Sequence, residues 1–435
     1  MHMDSYFQVN ATIKSECHRA PKKHKGKKWR KGKLAGYWGS PTSECDAPTH
    51  LIEHTINWIG QNWKNKLDFV IWTGDNARHD IDGKIPRTRK EILDYNQRLT
   101  DMMRQTFTME ETNRTITIVP VIGNNDIHPH NILHGNQLNR DKPITLEDFA
   151  TMWRDFIPQD QLDAFMQGGY FAIDVVPGIR VLSLNTLYFF NSNDAVHPCK
   201  VKGGTADRHM EWIKEQLERA RKDRVKVYMI GHVPPSPKTF RKSCLSRYIN
   251  ISLAYADIIT GHMYGHANMD HFQILKSTKK SKKKITEPEG DLRAEKDVDR
   301  FISSLRQQYK QAHSENGTSA IVVHVAPPVL PVYHSTFRIN QYDKRQASFG
   351  QWLQYTQWYA NLTYWNQLPQ NRPLEYEIEY ATDTTYDMAD LGVDSWLELA
   401  RRMTENTKVS EALWNTYLDN MLVQTYKERR SIKHR

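Results

Sequence analysis

The chain has 435 residues, with 60 lysines and arginines against 50 aspartates and glutamates, a formal net charge of +10. Hydrophobic residues at 39% and charged residues at 25% exclude a disordered chain and allow one large domain or a domain with an appendage. No apolar run is long enough to span a bilayer, the start Met1-His2-Met3-Asp4 does not read as a signal peptide, and no helix-turn-helix, finger or stacking motif accompanies the basic charge, so nucleic acid is not expected as a partner.

Residues 1–45 read as a basic, glycine-bearing irregular segment. A helix follows near Ala47–Trp63, where Leu51, Ile52, Ile56 and Ile59 recur at helical spacing. A strand over Leu67–Thr73 ends in Gly74-Asp75-Asn76-Ala77-Arg78-His79-Asp80. A helix near Arg87–Thr106 leads to a strand over Ile116–Ile122 and the loop Gly123-Asn124-Asn125-Asp126. Two short helices fill 145–167, and Tyr170–Val175 and Ile179–Leu184 form a hairpin about Pro177-Gly178. A helix at 205–222 feeds the strand Val225–Ile230 and the loop Gly231-His232-Val233-Pro234-Pro235. The run Ile258-Ile259-Thr260-Gly261-His262 continues to Gly265-His266, and His271–Leu275 is the next strand. Residues 276–297 form an exposed, lysine-rich insertion, and Ser319–Val325 and Phe337–Tyr342 close the sheets. Beyond 346 the pattern turns helical and aromatic, with Trp352, Tyr355, Trp358, Tyr359 and Trp365 as core of a packed appendage. Alternating strands and helices in the first three quarters predict mixed sheets with helices outside.

Four of these strands end in glycine followed by Asp75, Asn124, His232 or, after His262, His266. Strands that end side by side place their next residues on one rim of a sheet. Oxygen and nitrogen donors gathered there suit hard or borderline divalent cations. Such a pair of cations meets the central difficulty of cleaving a phosphoester or phosphoanhydride, whose negative charge repels a nucleophile. One carboxylate, Asp75, is the natural bridge, and Asn124, His232 and His266 are neutral donors. Asp75 also admits a plain reading as a turn or helix-cap aspartate, His232 as part of a rigid turn, and His262 as structural.

The blocks Gly74-Asp75, Gly123-Asn124, Gly231-His232 and Gly265-His266 resemble, in order, those of the calcineurin-like metallophosphoesterases. Gly74-Asp75-Asn76-Ala77-Arg78-His79-Asp80 is similar to the GD-x-x-x-HD block of the acid sphingomyelinase-like group. Gly123 to Asn131, with Gly265 to Phe272, is similar to the fungal vacuolar endopolyphosphatases, over residue 2 to about 345. The resemblance implies an α/β/β/α sandwich of two mixed sheets flanked by helices in a catalytic domain over 1–345, with a helical extension over 346–435. It implies two divalent ions (Mn, Mg, Co or Zn) and hydrolysis of inorganic polyphosphate by a metal-activated water. Asn124, His232 and His266 would complete one metal shell about Asp75; His2, Asp75 and Asn268 would serve the other, with His79 as general acid. The same family also contains lipid and nucleotide phosphodiesterases, and a chain lacking one ligand could be an inactive polyanion binder.

Three departures stand out. Met1-His2 looks like the end of a D-x-H block, whose aspartate and first strand are expected just ahead of Met1. The common GNH block reads Gly123-Asn124-Asn125, which shifts weight onto His79, and Asn268 stands where many relatives carry His, favouring Mn²⁺ or Mg²⁺ over Zn²⁺.

Substrate contacts are expected from Arg78, Asn125, His130 and the basic run holding Lys22, Lys23, Lys27 and Lys28, which would act as a track for a polyanion. Cys17, Cys45, Cys199 and Cys244 contain no C-x-x-C pair; proximity along the chain suggests Cys17–Cys45 and Cys199–Cys244 disulfides. With sequons at Asn10, Asn113, Asn250, Asn316 and Asn361, they tilt towards a lumenal or extracellular compartment. The resemblance implies the vacuole lumen, with a type II membrane anchor upstream.

Overall fold

The computed structural model describes residues 1–21, 34–112, 114–135, 144–276, 295–312 and 319–426. Two layers of strands carry the molecule. The larger is a six-stranded mixed sheet in the order His271–Lys276, Ala320–Val325, Ile259–Tyr264, Lys226–Ile230, Ile179–Ser183, Phe171–Val176. Its four middle strands run parallel, and the two outer ones antiparallel to their neighbours. The second layer pairs Phe69–Trp72 with Thr117–Pro120 in parallel, beside an antiparallel sheet of Ser335–Tyr342, Trp352–Ala360 and Glu377–Ala381. Tyr228 of the large sheet packs on Trp352 (ring centroids 4.6 Å) and donates its hydroxyl to Gly350 O, while Ser183 Oγ donates to Pro120 O, so the layers meet face to face.

Helices cover the outer faces, and their ends are set locally. Arg89–Thr106 starts at Thr88, whose hydroxyl accepts from Glu91 N. Leu146–Met152 starts with a reciprocal Thr145–Asp148 capping box, and Thr205–Asp223 ends on Arg224 in a left-handed conformation. Thr49–Trp63 buries Leu51, Ile52 and Ile56, the positions whose spacing predicts it. Among the described residues, no helix is long and apolar enough to cross a membrane. The structure joins Cys17 to Cys45 and Cys199 to Cys244, closing loops of 28 and 45 residues.

The tail differs from its sequence pattern. Val393–Thr404 and Lys408–Met421 are helical, but the aromatic run at 352–360 is a nine-residue strand, and 377–381 is a further strand. Its buried positions are Trp352, Tyr355, Gln357 and Ala360. The strand lies between two neighbours and under the large sheet, so its side chains do not alternate between core and solvent, and the spacing mimics a helix. Helix Lys242–Ala254 is a further element that the sequence pattern leaves unmarked. Most of the expected 276–297 insertion lies outside the described residues, and a helix begins at Glu295.

A cavity of about 600 Å³ separates the strand Phe69–Trp72 from Ser335–Tyr342. Among the described residues, Phe69–Trp72 is hydrogen-bonded to a strand on one side only, as is Ser335–Tyr342. The first residues of the chain run parallel to the loop after Phe69–Trp72, with His2 N donating to Asp75 O and Met3 N to Asn76 O.

The amino-terminal segment is pinned by a buried charge cluster. His18 lies between Asp4 Oδ2 (2.8 Å from Nε2) and Asp82 Oδ2 (2.7 Å from Nδ1). Burial alone would lower its pKa, but the two carboxylates outweigh it and raise the imidazole above its ordinary value. Because the folded value exceeds the unfolded one, this stabilisation is complete below about pH 6.5 and is lost as pH rises through the folded value. Thermal melts across this range should show Tm falling with pH. His18→Gln should flatten that slope while costing about 3 kcal/mol at the acid end.

Candidate metal centre

Two glycines shape the rim. Gly74 has φ +83°, and a Cβ there would meet Val121 O at 2.6 Å; a Cβ on Gly123 would lie 2.2 Å from Asp75 N. The loops after Phe69–Trp72 and Thr117–Pro120 therefore approach backbone to backbone, which is why glycine precedes each donor. Asp75 itself takes φ +57°. Asp126 holds this turn by accepting the backbone N–H groups of Asp75 (2.8 Å), Asn76 (2.6 Å) and Gly123 (3.0 Å).

Asp75 is 4% exposed. Its Oδ1 accepts from Asn125 N at 2.8 Å and its Oδ2 from Asn125 Nδ2 at 2.9 Å. Two imidazoles reach the same carboxylate, His2 Nε2 at 3.2 Å and His232 Nε2 at 3.1 Å. His232 Nδ1 lies 2.7 Å from Thr73 O, and His2 Nδ1 lies 3.1 Å from Ala77 O. A carbonyl only accepts, so Nδ1 carries the hydrogen in both rings and Nε2 presents its lone pair towards Asp75. Asn124 Nδ2 donates to Asn131 Oδ1 at 2.9 Å, which turns Oδ1 towards His232 Nε2 and His266 Nδ1, each at 2.9 Å.

The outcome is a meeting of acceptors. In the neutral state the Nε2 lone pair of His232 faces Asp75 Oδ2 and Asn124 Oδ1 with no proton between them. A divalent cation satisfies all three, so the donor set fits a metal. Ligand atoms of Asp75, His232 and His266 lie within 4.8 Å of one another, as do those of His2, Asp75 and His79. Two donor groups thus share Asp75. Without metal the field falls on protons. Burial would raise the Asp75 pKa, but His232 and His2 hold it well below the carboxylate range; burial would lower His232, but Asp75 raises it. Burial pushes His266 down to about 3, with His232 adding to the effect, and burial and His79 push His2 well down.

His79 is fixed by a partner with no motif in the sequence. Asp46 accepts from His79 Nδ1 and from its backbone N, both at 2.6 Å, and the His79 ring stacks on His2 at 3.7 Å. Asp46 follows Cys45, so the disulfide to Cys17 anchors the segment that presents it. Arg87, buried, donates to Arg78 O and Asn125 O and ties the two ligand loops together; no pattern marks it either.

Asn268 is buried at φ +51° and lines the cavity with His232 and His266. Of the expected substrate contacts, Arg78 and Asn125 are engaged within the protein. Arg78 is buried, with Nε donating to Glu91 Oε1 (2.6 Å) and Nη2 to Ile85 O (2.8 Å), because a guanidinium inside a protein needs acceptors at hand. Asn125 braces Asp75. His130 is exposed beside Asn124, 3.1 Å from its Nδ2. Lys22, Lys23, Lys27 and Lys28 lie outside the described residues, as do Asn113 and Asn316. Asn10 and Asn250 are exposed, Asn361 caps the helix Leu362–Trp365 through its side chain, and His262 is buried against the Tyr248 hydroxyl (2.7 Å).

The sequence model of the calcineurin-like phosphoesterase family matches residues 38–266, more than half of the chain, and this chain belongs to that family. Its members use divalent metal ions, in keeping with the donor groups around Asp75. The chain is 39% identical over 299 residues to an endopolyphosphatase of Cryptococcus neoformans var. neoformans serotype D, covering 63% of this chain and 43% of that protein. It is 38% identical over 290 residues to an endopolyphosphatase of Saccharomyces cerevisiae (66% and 41%) and 32% identical over 414 residues to one of Yarrowia lipolytica (79% and 54%). The chain thus spans about half the length, or less, of these curated relatives.

Asp75→Asn should abolish high-affinity Mn²⁺ binding measured by calorimetry. Asp46→Asn should leave that binding intact while slowing turnover of an activated phosphoester about 100-fold, the size expected when a general acid loses its partner.

Proposed function

We propose that this chain hydrolyses phosphoanhydride bonds inside inorganic polyphosphate, as the name of its relatives suggests for them. The observation that carries the reading is the pair of donor groups sharing Asp75. Bound divalent cations would neutralise the phosphoryl oxygens and make water a nucleophile at neutral pH. Asp75, Asn124, His232 and His266 would hold one cation and His2, Asp75 and Asn268 the other, with His79, which clusters with His2 and Asp75, kept for proton transfer. His79, its Nδ1–H directed at Asp46, passes a proton from Nε2 to the departing phosphate oxygen. His130, at the rim, contacts the substrate chain. Oxygen donors from Asp75, Asn124 and Asn268 favour Mn²⁺ or Mg²⁺ over Zn²⁺.

A net charge of +10 suits a polyanion and disfavours a lipid phosphodiester as the principal substrate. Two disulfides and the exposed sequons Asn10 and Asn250 support a lumenal setting, such as a vacuole. Residues 1–345 act as the catalytic unit and 346–435 as an extension fastened to it, supported by the pairing of Ser335–Tyr342 with Trp352–Ala360.

The test uses the chain and a form with aspartate joined ahead of Met1, each loaded with Mn²⁺, Mg²⁺, Co²⁺ or Zn²⁺. Long-chain polyphosphate should break into chains of intermediate length on a gel, faster than sphingomyelin or a nucleotide diester is cleaved. Cleavage should weaken steeply as salt rises. Intact polyphosphate in every metal with both forms overturns the reading.

A further inference from the structure

The turn Gly265-His266-Ala267-Asn268 places two non-glycine residues in the left-handed region within three positions, His266 at φ +67° and Asn268 at +51°. Such backbone costs energy and persists only where its surroundings over-determine it. At its start the turn is tied by Gly265 N donating to His232 O at 3.1 Å. Its far end is Asp270, 5% exposed, and among the described residues the groups that grip Asp270 come from beyond the stretch that the family model matches.

Arg338 Nη2, on Ser335–Tyr342, lies 2.7 Å from Asp270 Oδ2. The hydroxyl of Tyr380, on Glu377–Ala381, donates to the same oxygen, and Asp270 N donates to Met421 O at 3.3 Å. The clamp is itself held. The Arg338 guanidinium stacks on Tyr355 (3.7 Å to the ring centroid) and donates from Nε to Gln357 Oε1 at 2.9 Å; Tyr355 and Tyr380 share a hydroxyl hydrogen bond of 2.9 Å. Arg338 and Tyr355 line the same cavity as Asp75, His266 and Asn268, and a buried carboxylate with one guanidinium and one phenol on it has a single low-energy orientation.

We propose that Arg338 and Tyr380 are positioning residues for the metal centre, acting through Asp270 to hold the turn that carries His266 and Asn268. The inference rests on the ligand roles given to those two residues above. Through this clamp the carboxyl-terminal strands and the last helix fix two donors of a centre whose other ligands, His2 apart, come from the stretch that the family model matches.

Tyr380→Phe deletes one hydroxyl and keeps the ring. In metal-free protein, amide hydrogen exchange over residues 264–272 should quicken at least about tenfold while the melting temperature changes little. Mn²⁺ affinity should fall about 10- to 100-fold, as when an outer partner of a ligand is lost, and kcat at subsaturating Mn²⁺ should fall with KM for polyphosphate unchanged. Excess Mn²⁺ should restore kcat. Arg338→Lys, which keeps the charge but not the fork, should do the same more weakly, so the inference does not hang on one variant folding. Exchange and Mn²⁺ affinity within twofold of the parent in both variants overturn it. A parent that binds Mn²⁺ and shows these effects but spares polyphosphate leaves the clamp standing and overturns only the proposed substrate.

Discussion

The centre depends on a single carboxylate kept away from water. Asp75 would be expensive to bury alone, by several kcal/mol, and its surroundings offset that cost in two ways. Asn125 supplies two neutral hydrogen-bond donors, and His232, whose affinity for a proton Asp75 raises against the effect of burial, brings a nitrogen to the same carboxylate. The same oxygens therefore serve protons in one state and cations in the other. Folding and metal capture draw on one field.

That field depends on backbone geometry as much as on the ligand side chains. Asp126 gathers the amides of the Asp75 turn, Gly74 and Gly123 let two loops touch, and carbonyls at Thr73 and Ala77 fix which ring nitrogens face inward. Asn124 is oriented by Asn131 in the same manner. A histidine ligand without its carbonyl partner could turn either nitrogen to the centre, so these peptide groups carry as much of the specificity as the ligands do.

Much of this was legible in the chain because each strand that bears a donor is an apolar run punctuated by glycine. The parallel strands ending at Pro120 and Ile230 are buried in all but their first residue, and the strand ending at Tyr264, before Gly265, nearly so, whereas Phe69–Trp72 is half-buried up to Trp72. The partners of those donors were not legible. Asp46, Arg87 and Asp270 are single polar residues whose role exists only once distant segments meet, and nothing in their local pattern separates them from surface charges. Arg78 shows the converse error, a basic residue within a ligand block that is engaged by Glu91 instead. The strand at 352–360 misleads for a third reason: covered on both faces, it buries every third residue or so and imitates a helix.

Homology and mechanics draw different boundaries here. A protein trimmed to residues 38–266 would retain the segment common to the wider family yet forfeit His2, Asn268 and the grip on Asp270. The unit that keeps these residues together is therefore longer than the stretch that the family model matches. Anyone dissecting this polypeptide into pieces should keep Tyr380 and the helix ending at Met421 attached to the ligand loops.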